Sequence, residues 1–370
     1  MQLQNFNAQE FLQTYWQRQP LVIRQALPHF QVPLDADELA GLAMEPEVES
    51  RLVTTAPDWP LRHGPFAEQD FAGEGSWTLL VQAVDHYVPE VAELLRLIRF
   101  LPSWRVDDVM MSYANDGASV GPHYDNYDVF LLQGEGQREW LLGQQCDANT
   151  PLLPHTELRI LKEFEQSAAY LLEPGDILYV PPGLAHWGIA RGECTTFSLG
   201  LRAPQLAELM SRQVDQALEA LKPELFYRDA QLAVDPLPGE ITTAALEQAR
   251  AQLSQLLQTG SSDARWLGEL VTEPRYESEP VQPLPDQTEF VEPTLHVTAG
   301  ARLAWSQTIG DLLIFANGQT IPASSASKEL IISLCGAHKI LPAELELLRQ
   351  LPQNQRLITE LLHTGCVYYE

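Results

Sequence analysis

Two histidines and one aspartate have the residue types and the spacing of a metal site. His123 and Asp125 are separated by one residue, and His186 follows much later, at the end of a Pro-Pro-Gly-Leu-Ala-His segment. Alternate residues of a strand point to one face, so His123 and Asp125 can share a surface. Two imidazoles and one carboxylate hold one face of an octahedral Fe(II) ion and leave three positions open. The set therefore predicts an iron site, although zinc, manganese and nickel accept the same ligands.

Arg138 is the candidate partner of an organic co-substrate. The open positions on such an iron suit a 2-oxo acid, for example 2-oxoglutarate, together with O₂. The far carboxylate of that acid needs a cation, and arginine binds a carboxylate through two parallel hydrogen bonds. Arg138 follows the turn Gly134-Glu135-Gly136 and precedes Trp140 by two positions. The competing interpretation of a lone arginine here is an exposed residue of a hairpin.

The segment from about residue 104 to 202 must bring these side chains together, and its sequence is typical of β-structure. Short apolar runs alternate with turns that contain glycine or proline. The predicted strands form two hairpins and a closing strand: 127–133 with 137–142, 168–172 with 177–180, and 195–201. Many short strands at this spacing indicate an antiparallel barrel of the jelly-roll type.

Helices are predicted on both sides of this segment. Their apolar residues recur at helical spacing, and Asn7 with Glu10 has the spacing of a capping box. The predicted helices cover residues 7–18, 36–44, 76–97, 204–222 and 243–258, with a break in the third at Pro89. A short strand is expected at 21–23.

The C-terminal part of the chain has a different organisation. The two amphipathic helices after residue 204 need an apolar partner, which is either a second copy of the chain or the barrel. Pro-rich residues 273–293 resemble a linker. Residues 294–370 mix short strands with helices, which indicates a small α+β domain, with a winged helix as one possibility.

Composition excludes several classes of protein. The chain has 370 residues and a formal charge of -27, from 50 acidic and 23 basic residues. Nucleic-acid binding depends on basic surface, so no direct contact with DNA or RNA is expected, whereas a basic protein partner is compatible. No apolar run is long enough for a membrane span, and the N-terminus lacks the pattern of a secretory signal. Four scattered cysteines fit reduced thiols, and we expect a cytoplasmic protein.

Two stretches of the barrel resemble a known family. Residues 121–136, which contain Gly-Pro-His-Tyr-Asp, and residues 173–186, which end in Pro-Pro-Gly-Leu-Ala-His, are similar to the JmjC-type ribosomal oxygenases. The similarity is greatest to the bacterial ribosomal-protein arginine hydroxylases. It extends beyond the barrel to four shorter segments: 37–44, 49–53, 63–66 and 76–84. Residues 200–204 match the end of the family's barrel.

The resemblance implies an α+β chain built on a double-stranded β-helix, the jelly-roll barrel of the JmjC and cupin proteins. Its expected parts are a catalytic domain with N-terminal helices, a helical dimerisation segment that makes a homodimer, and a winged-helix-like domain: 1–203, 204–272 and 273–370. It implies Fe(II) at His123, Asp125 and His186. It also implies 2-oxoglutarate at Arg138, assisted by Ser112, with O₂ as the second co-substrate.

The implied substrate is an arginine of the sixteenth protein of the large ribosomal subunit, a basic protein that is hydroxylated at carbon. Where the family has a more basic Gly-x-Gly-Arg-Arg-Arg-Trp hairpin, this chain has Gly-Glu-Gly-Gln-Arg-Glu-Trp at 134–140. Arg138 is kept and its neighbours are not. Two alternatives stay open, namely a histidyl or lysyl hydroxylase or demethylase of the same fold, and a catalytically inactive binding module for ribosome assembly.

Overall fold

The computed structural model describes residues 2–155, 157–230, 239–260, 262–276, 293–307 and 312–370. The chain divides into two compact units, Met1–Ala203 and Pro204–Glu370. In chain order, the helices and strands of the first unit are α1 (Ala8–Thr14), β1 (Leu21–Ile23), α2 (Ala36–Leu42), β2 (Ser50–Thr54), β3 (Leu61–His63), β4 (Trp77–Val81), α3 (Pro89–Ala92), β5 (Val106–Ala114), β6 (Val129–Gln133), β7 (Gln137–Gln145), β8 (Ala168–Leu172), β9 (Ile177–Val180), β10 (Leu184–Arg191) and β11 (Cys194–Leu201).

The strands of the first unit form two antiparallel sheets that face each other. One sheet has the order β1-β9-β6-β11-β5-β4-β2-β3, and the other has the order β10-β7-β8. Apolar side chains from both sheets meet between them, with Leu131 of β6 and Leu178 of β9 packed in one cluster with Trp140 and Leu142 of β7. The predicted jelly-roll barrel is therefore confirmed.

The outer face of the larger sheet is covered by the N-terminal helices. Strand β6 is buried along its whole length. Val129 and Leu131 point into the barrel, whereas Phe130 and Leu132 pack against Phe11 and the helical layer. A strand covered on both faces has a continuous apolar sequence without alternation, which is the pattern of 129–132.

Helix α1 begins where its sequence predicts. The Asn7 side chain accepts hydrogen bonds from the backbone N–H groups of Gln9 and Glu10, and Phe11 anchors the helix edge-on against Tyr179 with ring centroids 4.8 Å apart. The helix ends at Thr14, earlier than the predicted residue 18, because Gln17 takes a left-handed backbone conformation with φ of 55°. Strand β1 has the predicted bounds.

The helix predicted over 76–97 is wrong for most of its length. Trp77–Val81 is strand β4, which pairs with β2 on one side and with β5 on the other. A short α-helix begins only at Pro89. Both faces of β4 are buried, so its apolar residues are contiguous, and periodicity alone does not distinguish such a strand from a buried helix.

Both predicted hairpins are wrong in their pairing, although their strands exist. Strand β6 pairs with β9 and β11, whereas β7 pairs with β8 and β10 in the other sheet. Likewise, β8 and β9 lie in different sheets. The chain crosses between sheets at each Gly-containing turn, so strands that are adjacent in sequence face each other across the barrel.

The second unit has its own secondary structure. In chain order it contains α4 (Leu206–Glu219), α5 (Thr243–Gly260), α6 (Arg265–Thr272), β12 (Leu295–Val297), β13 (Leu303–Gln307), β14 (Leu312–Ala316), β15 (Gln319–Ala323), α7 (Lys328–Ala337), β16 (Lys339–Ile340), α8 (Pro342–Arg349), α9 (Pro352–His363) and β17 (Val367–Tyr369). Helix α6 was not predicted; the buried Gln216 of α4 bonds both Asp263 and the backbone of Trp266 at its start. Most of the predicted linker 273–293 lies outside the described residues.

Two small sheets and three helices build the C-terminal module of this unit. The sheets have the orders β16-β12-β17 and β13-β14-β15, and they share one core with α7, α8 and α9. Leu295, Ile314, Leu334 and Leu361 are at most 1% exposed in that core. Among the described residues, no helix combines the length and the apolar character that crossing a membrane requires.

Candidate metal and co-substrate site

The backbones of His123 and His186 are bonded directly to each other. The N–H of each residue donates to the carbonyl of the other, at 3.0 and 2.8 Å, in an isolated antiparallel bridge. This pairing sets the two rings side by side, with centroids 4.3 Å apart. A backbone hydrogen bond from Gly183 to the Asp125 carbonyl, at 2.7 Å, holds the third residue beside them.

The ring nitrogens of both histidines are oriented for metal binding. His123 Nδ1 lies 2.9 Å from the Gly121 carbonyl, and His186 Nδ1 lies 3.0 Å from the Leu184 carbonyl. A carbonyl only accepts, so each Nδ1 carries the proton and each Nε2 has a free lone pair. One ligand atom each from His123, Asp125 and His186 lies within 4.8 Å of the others, with His186 Nε2 and Asp125 Oδ2 3.6 Å apart.

Burial keeps the His186 imidazole neutral. The residue is 2% exposed, and burial, followed by the nearby His123, lowers the pKa of His186 to about 4. A neutral imidazole is the form that coordinates a metal. The site therefore combines the Nε2 atoms of two histidines with the side chain of one aspartate, the donor set that suits Fe(II).

Side chains distant in sequence hold the loop that carries His123 and Asp125. A Cβ on Gly121, whose φ is 84°, would come within 2.7 Å of Ile160 and 3.2 Å of Trp59. Tyr124 donates from its hydroxyl to the Asp147 carbonyl and accepts from Arg159 Nη2, both at 2.7 Å. The loop is therefore held by residues that lie both before it and after it in the chain.

Asp128 fastens the end of the same loop to the N-terminal layer. Its carboxylate is fully buried and accepts from the Tyr179 hydroxyl at 2.6 Å and from Gln17 Nε2 at 2.9 Å. Arg105 Nη2 lies 3.3 Å from it. Burial raises the pKa of Asp128, while these three partners favour its ionised form.

Replacing Asp128 by alanine should destabilise the first unit strongly. Removal of one partner from a buried ion pair leaves the other uncompensated and costs about 3–5 kcal/mol. The free energy of unfolding in urea should fall by that amount. Asp58→Ala, at an exposed aspartate, is the control and should change stability by less than about 0.5 kcal/mol. Equal effects of the two substitutions would contradict this role for Asp128.

Arg138 and Ser112 meet inside the barrel, below the histidines. Arg138 Nη1 donates to Ser112 Oγ at 3.2 Å, and the two residues are 6% and 2% exposed. Within the described part of the chain, Arg138 Nε and Nη2 have no hydrogen-bond partner, and neither has Trp140 Nε1. A buried guanidinium with two unused donors is unfavourable unless an anion binds it. The pair of free N–H groups fits one carboxylate.

Trp140 lies between the arginine and the histidines. The Arg138 guanidinium carbon is 5.9 Å from the Trp140 ring centroid, and that ring is also 5.9 Å from the His186 ring. Trp140 therefore lines the space that connects the two ends of the site. Trp140 follows Arg138 by two positions, and this period-two spacing on a strand predicts that both side chains point inward.

The neighbours of Arg138 that depart from the family hairpin lie on the outer face of β7. Gln137 bonds Glu173 at 3.2 Å, and Glu139 forms an ion pair with Arg191. Alternation along the strand directs these side chains away from the barrel interior. Neither of the two departing side chains therefore enters the interior in which Arg138 lies.

All five residues singled out in the sequence converge on one interior. The structure adds Tyr124, Arg159 and Asp128, which sequence reasoning missed. Only the burial of Tyr124 and Asp128 in the fold identifies them, because their partners lie far away in the chain. Trp187 donates to Ser119 at 2.8 Å and packs against Phe164, whereas Tyr127 is partly exposed.

Comparisons with protein families agree with this architecture. The JmjC domain family matches residues 93–209, and the ROXA-like winged helix family matches residues 255–368. The AraC-like ligand binding domain family matches residues 164–270. The expected winged-helix fold of the C-terminal part is thereby confirmed.

Individual relatives are similar over most of the chain. The ribosomal protein uL16 3-hydroxylase of Escherichia coli K12 is 39% identical over 280 residues, which are 75% of each chain. A probable ribosomal oxygenase of Haemophilus influenzae is 43% identical over 204 residues, which are 54% of this chain and 50% of the relative.

Solved structures are similar over the full length. The X-ray structure of E. coli YcfD superposes with a TM-score of 0.86 at 33% identity and covers 100% of both chains. A structure of YcfD in complex with cobalt and 2-oxoglutarate gives a TM-score of 0.83 at 33% identity, covering 100% of this chain and 99% of the other.

Proposed function

Because this chain belongs to the JmjC-type ribosomal oxygenases, we propose that it hydroxylates an arginine of the large-subunit ribosomal protein uL16. The co-substrates are 2-oxoglutarate and O₂, with Fe(II) as the metal. One observation carries the proposal, namely the cluster of His123, Asp125 and His186 above the unsatisfied guanidinium of Arg138 in the same barrel. The relative structure that binds cobalt and 2-oxoglutarate supports this choice of ligands.

Each residue of the site has a distinct task in this proposal. His123 and His186 would hold Fe(II) through Nε2, and Asp125 through its carboxylate. The chemistry that the metal supplies when bound is activation of O₂, so that one oxygen atom enters a C–H bond while 2-oxoglutarate is oxidised to succinate and CO₂. Arg138 and Ser112 orient the co-substrate by its far carboxylate. The buried Trp140 closes the space between them and excludes water.

The direct test is mass spectrometry of the product. The full chain, with Fe(II), 2-oxoglutarate and O₂, should add one oxygen atom to one arginine of uL16. Omission of 2-oxoglutarate or addition of a chelator should prevent the reaction. Unmodified uL16 after complete reconstitution would refute the proposal.

The same spectra decide between the alternatives. Hydroxylation of a histidine or lysine, or loss of a methyl group, would assign the chain to another activity of the same fold. Metal-independent binding of uL16 with no turnover of 2-oxoglutarate would indicate a binding module instead. The free donors of Arg138 favour an active enzyme, because a module with no co-substrate has no use for them.

The negative charge of this chain is consistent with a basic protein substrate. The chain's formal charge of -27 attracts a basic ribosomal protein and repels nucleic acid. We therefore propose that the protein alone is recognised, without contact to RNA. Ribosomal proteins are made and assembled in the bacterial cytoplasm, so we propose that the enzyme acts there.

We also propose that the helical segment 204–272 makes a homodimer. Helix α4 packs against α5 and α6. It nevertheless leaves Leu206, Met210 and Leu218 more than half exposed, as α5 leaves Leu253. Apolar side chains grouped on a helical segment in this way are typical of a protein interface.

Charged substitutions on this segment should dissociate the dimer. Met210→Glu combined with Leu253→Glu should halve the mass measured by light scattering, because two carboxylates would be buried without partners. Ser211→Glu, at an exposed position of the same helix, should leave the mass unchanged. A wild-type protein that is already monomeric would show that this proposal is wrong.

A further inference from the structure

The C-terminal module has a groove between helices α7 and α8. Its volume is about 420 Å³. Six residues line it: Glu329, Ile332, Ser333, Glu344, Leu347 and Leu348. The module has a closed core of its own beneath these helices. Of the apolar residues that line the groove, Leu348 packs against this core, whereas Ile332 and Leu347 are exposed.

Large apolar side chains of this module are exposed only at the groove and along α8. Among residues 293–307 and 312–370, they are Ile332 at 46% exposure, Leu341 at 56%, Leu347 at 66% and Leu351 at 42%. Glu344, Leu347 and Leu348 are three or four residues apart within α8, so they lie on one face of this helix. Ile332, Leu347 and Leu348 thus form an apolar strip in the groove, and Leu341 and Leu351 expose further apolar surface just beyond the two ends of α8.

Two carboxylates flank this strip. Ser333 Oγ donates to Glu344 Oε1 at 2.9 Å, which fixes the Glu344 carboxylate at the edge of the groove. The cations that neighbour the lining residues in sequence are held by other groups. Lys328 bonds Gln307 and lies over the Trp305 ring, and Arg349 lies over the Tyr369 ring. The groove therefore has an apolar floor with the carboxylates of Glu329 and Glu344 in its lining.

We infer that this groove binds a basic amphipathic helix of the ribosomal protein substrate, at a distance in sequence from the hydroxylated arginine. Such a helix places apolar residues at i, i+3 or i+4, and i+7 on the floor, and lysine or arginine against Glu329 and Glu344. A second copy of this chain fits less well, because a two-fold contact through this groove would bring four carboxylates into one interface with no basic residue from the groove lining. The inference rests on the proposed function and adds a second recognition site to it.

The test compares two substrates of the full-length enzyme. One is whole uL16, and the other is a short uL16 peptide around the target arginine. Ile332→Lys combined with Leu347→Lys should raise KM for the whole protein by about tenfold, the equivalent of about 1.4 kcal/mol of lost contact. Neither kcat nor the kinetics with the peptide should change, because the peptide lacks the docking helix.

A pair of charge reversals on one helix provides the matched control. Glu344→Lys should weaken binding of whole uL16, measured by fluorescence anisotropy. Glu346→Lys makes the same change at an exposed position of α8 that does not line the groove, and it should not alter binding. Both positions are exposed, so folding should survive, and melting curves verify this.

Four outcomes would overturn the inference. Equal KM values for whole uL16 with and without the groove substitutions would show that the substrate does not use the groove. Equal losses for Glu344→Lys and Glu346→Lys would show a general charge effect. A change in oligomeric mass on Leu347→Lys would assign the groove to a second copy. If the wild type hydroxylated neither whole uL16 nor the peptide, the proposed function would be wrong, and the inference that rests on it would fall as well.

Discussion

His186→Ala should abolish arginine hydroxylation. The imidazole is buried, its Nδ1 proton is donated to the Leu184 carbonyl, and its Nε2 faces Asp125 at 3.6 Å. Alanine removes one of the three proposed metal ligands, and no other described side chain joins this cluster to replace it. Changes to groups that only orient a ligand cost about 10–100-fold in affinity or activity, so loss of the ligand itself should exceed about 100-fold.

The measurement combines turnover with metal binding. Hydroxylation of uL16 by mass spectrometry should fall below detection, and titration with Co(II) or Mn(II) should show a matching loss of affinity. His363→Ala, at an exposed histidine of α9, should change neither. Retained activity in His186→Ala would mean that the metal lies elsewhere, and the whole assignment of this site would fail.

Arg138→Met should raise KM for 2-oxoglutarate by about 100-fold. Truncating one partner of a buried, hydrogen-bonded charge pair costs about 2–5 kcal/mol, and about 2.7 kcal/mol corresponds to that factor. The KM of Arg138→Lys for 2-oxoglutarate should lie between those of the wild type and Arg138→Met, because an ammonium supplies the charge without the two parallel donors. Affinity for Co(II) should stay unchanged, which separates this defect from that of His186→Ala.

We expect that Arg138→Met does not destabilise the protein in the absence of co-substrate. In the absence of co-substrate, Arg138 Nε and Nη2 are buried with no partner in the described structure. Methionine removes these donors at similar volume, so Arg138→Met should melt at an equal or higher temperature than the wild type. Addition of 2-oxoglutarate with Co(II) should stabilise the wild type more than the variant, because only the wild type binds the far carboxylate tightly.

Arg191→Ala is the control for both measurements. Arg191 lies on β10 beside Arg138's strand, but it is half exposed and pairs with Glu139 on the outer face. Its loss should leave KM for 2-oxoglutarate unchanged. If Arg191→Ala and Arg138→Met raised KM equally, the effect would be electrostatic and general, and Arg138 would not be the carboxylate-binding residue.

Some elements could be read from short stretches of sequence. Asn7 and Phe11 define the start and the buried face of α1, and Leu21–Ile23 is a strand with the predicted bounds. These predictions succeeded because caps and apolar spacing act within one turn of helix or a few residues of strand. The strand at 177–180 was also placed correctly, and the strand predicted over 127–133 begins two residues later, at Val129. Both strands contain β-branched and aromatic residues and adjoin Gly- or Pro-containing turns.

The pairing of the strands could not be predicted from local sequence patterns. The turns at 134–136 and 173–176 resemble hairpin turns, but they join strands of opposite sheets. Trp77–Val81 has the composition of a buried helix or a buried strand, and only its neighbours β2 and β5 decide between the two. The strand with which a given strand pairs depends on residues far away in the chain, because the apolar faces of both strands must be covered in the same fold.

Residue types and their spacing predict the chemistry that we propose for this protein, because ligand identity is a property of residue type. His123, Asp125, His186 and Arg138 could be chosen from their types, their spacing and the family resemblance. The tertiary structure decided how they act together. The reciprocal backbone bonds between His123 and His186, the free guanidinium beneath them, and the buried Asp128 that holds their loop all join residues distant in the chain. Such contacts arise only when two sheets close on each other, and no local pattern encodes them.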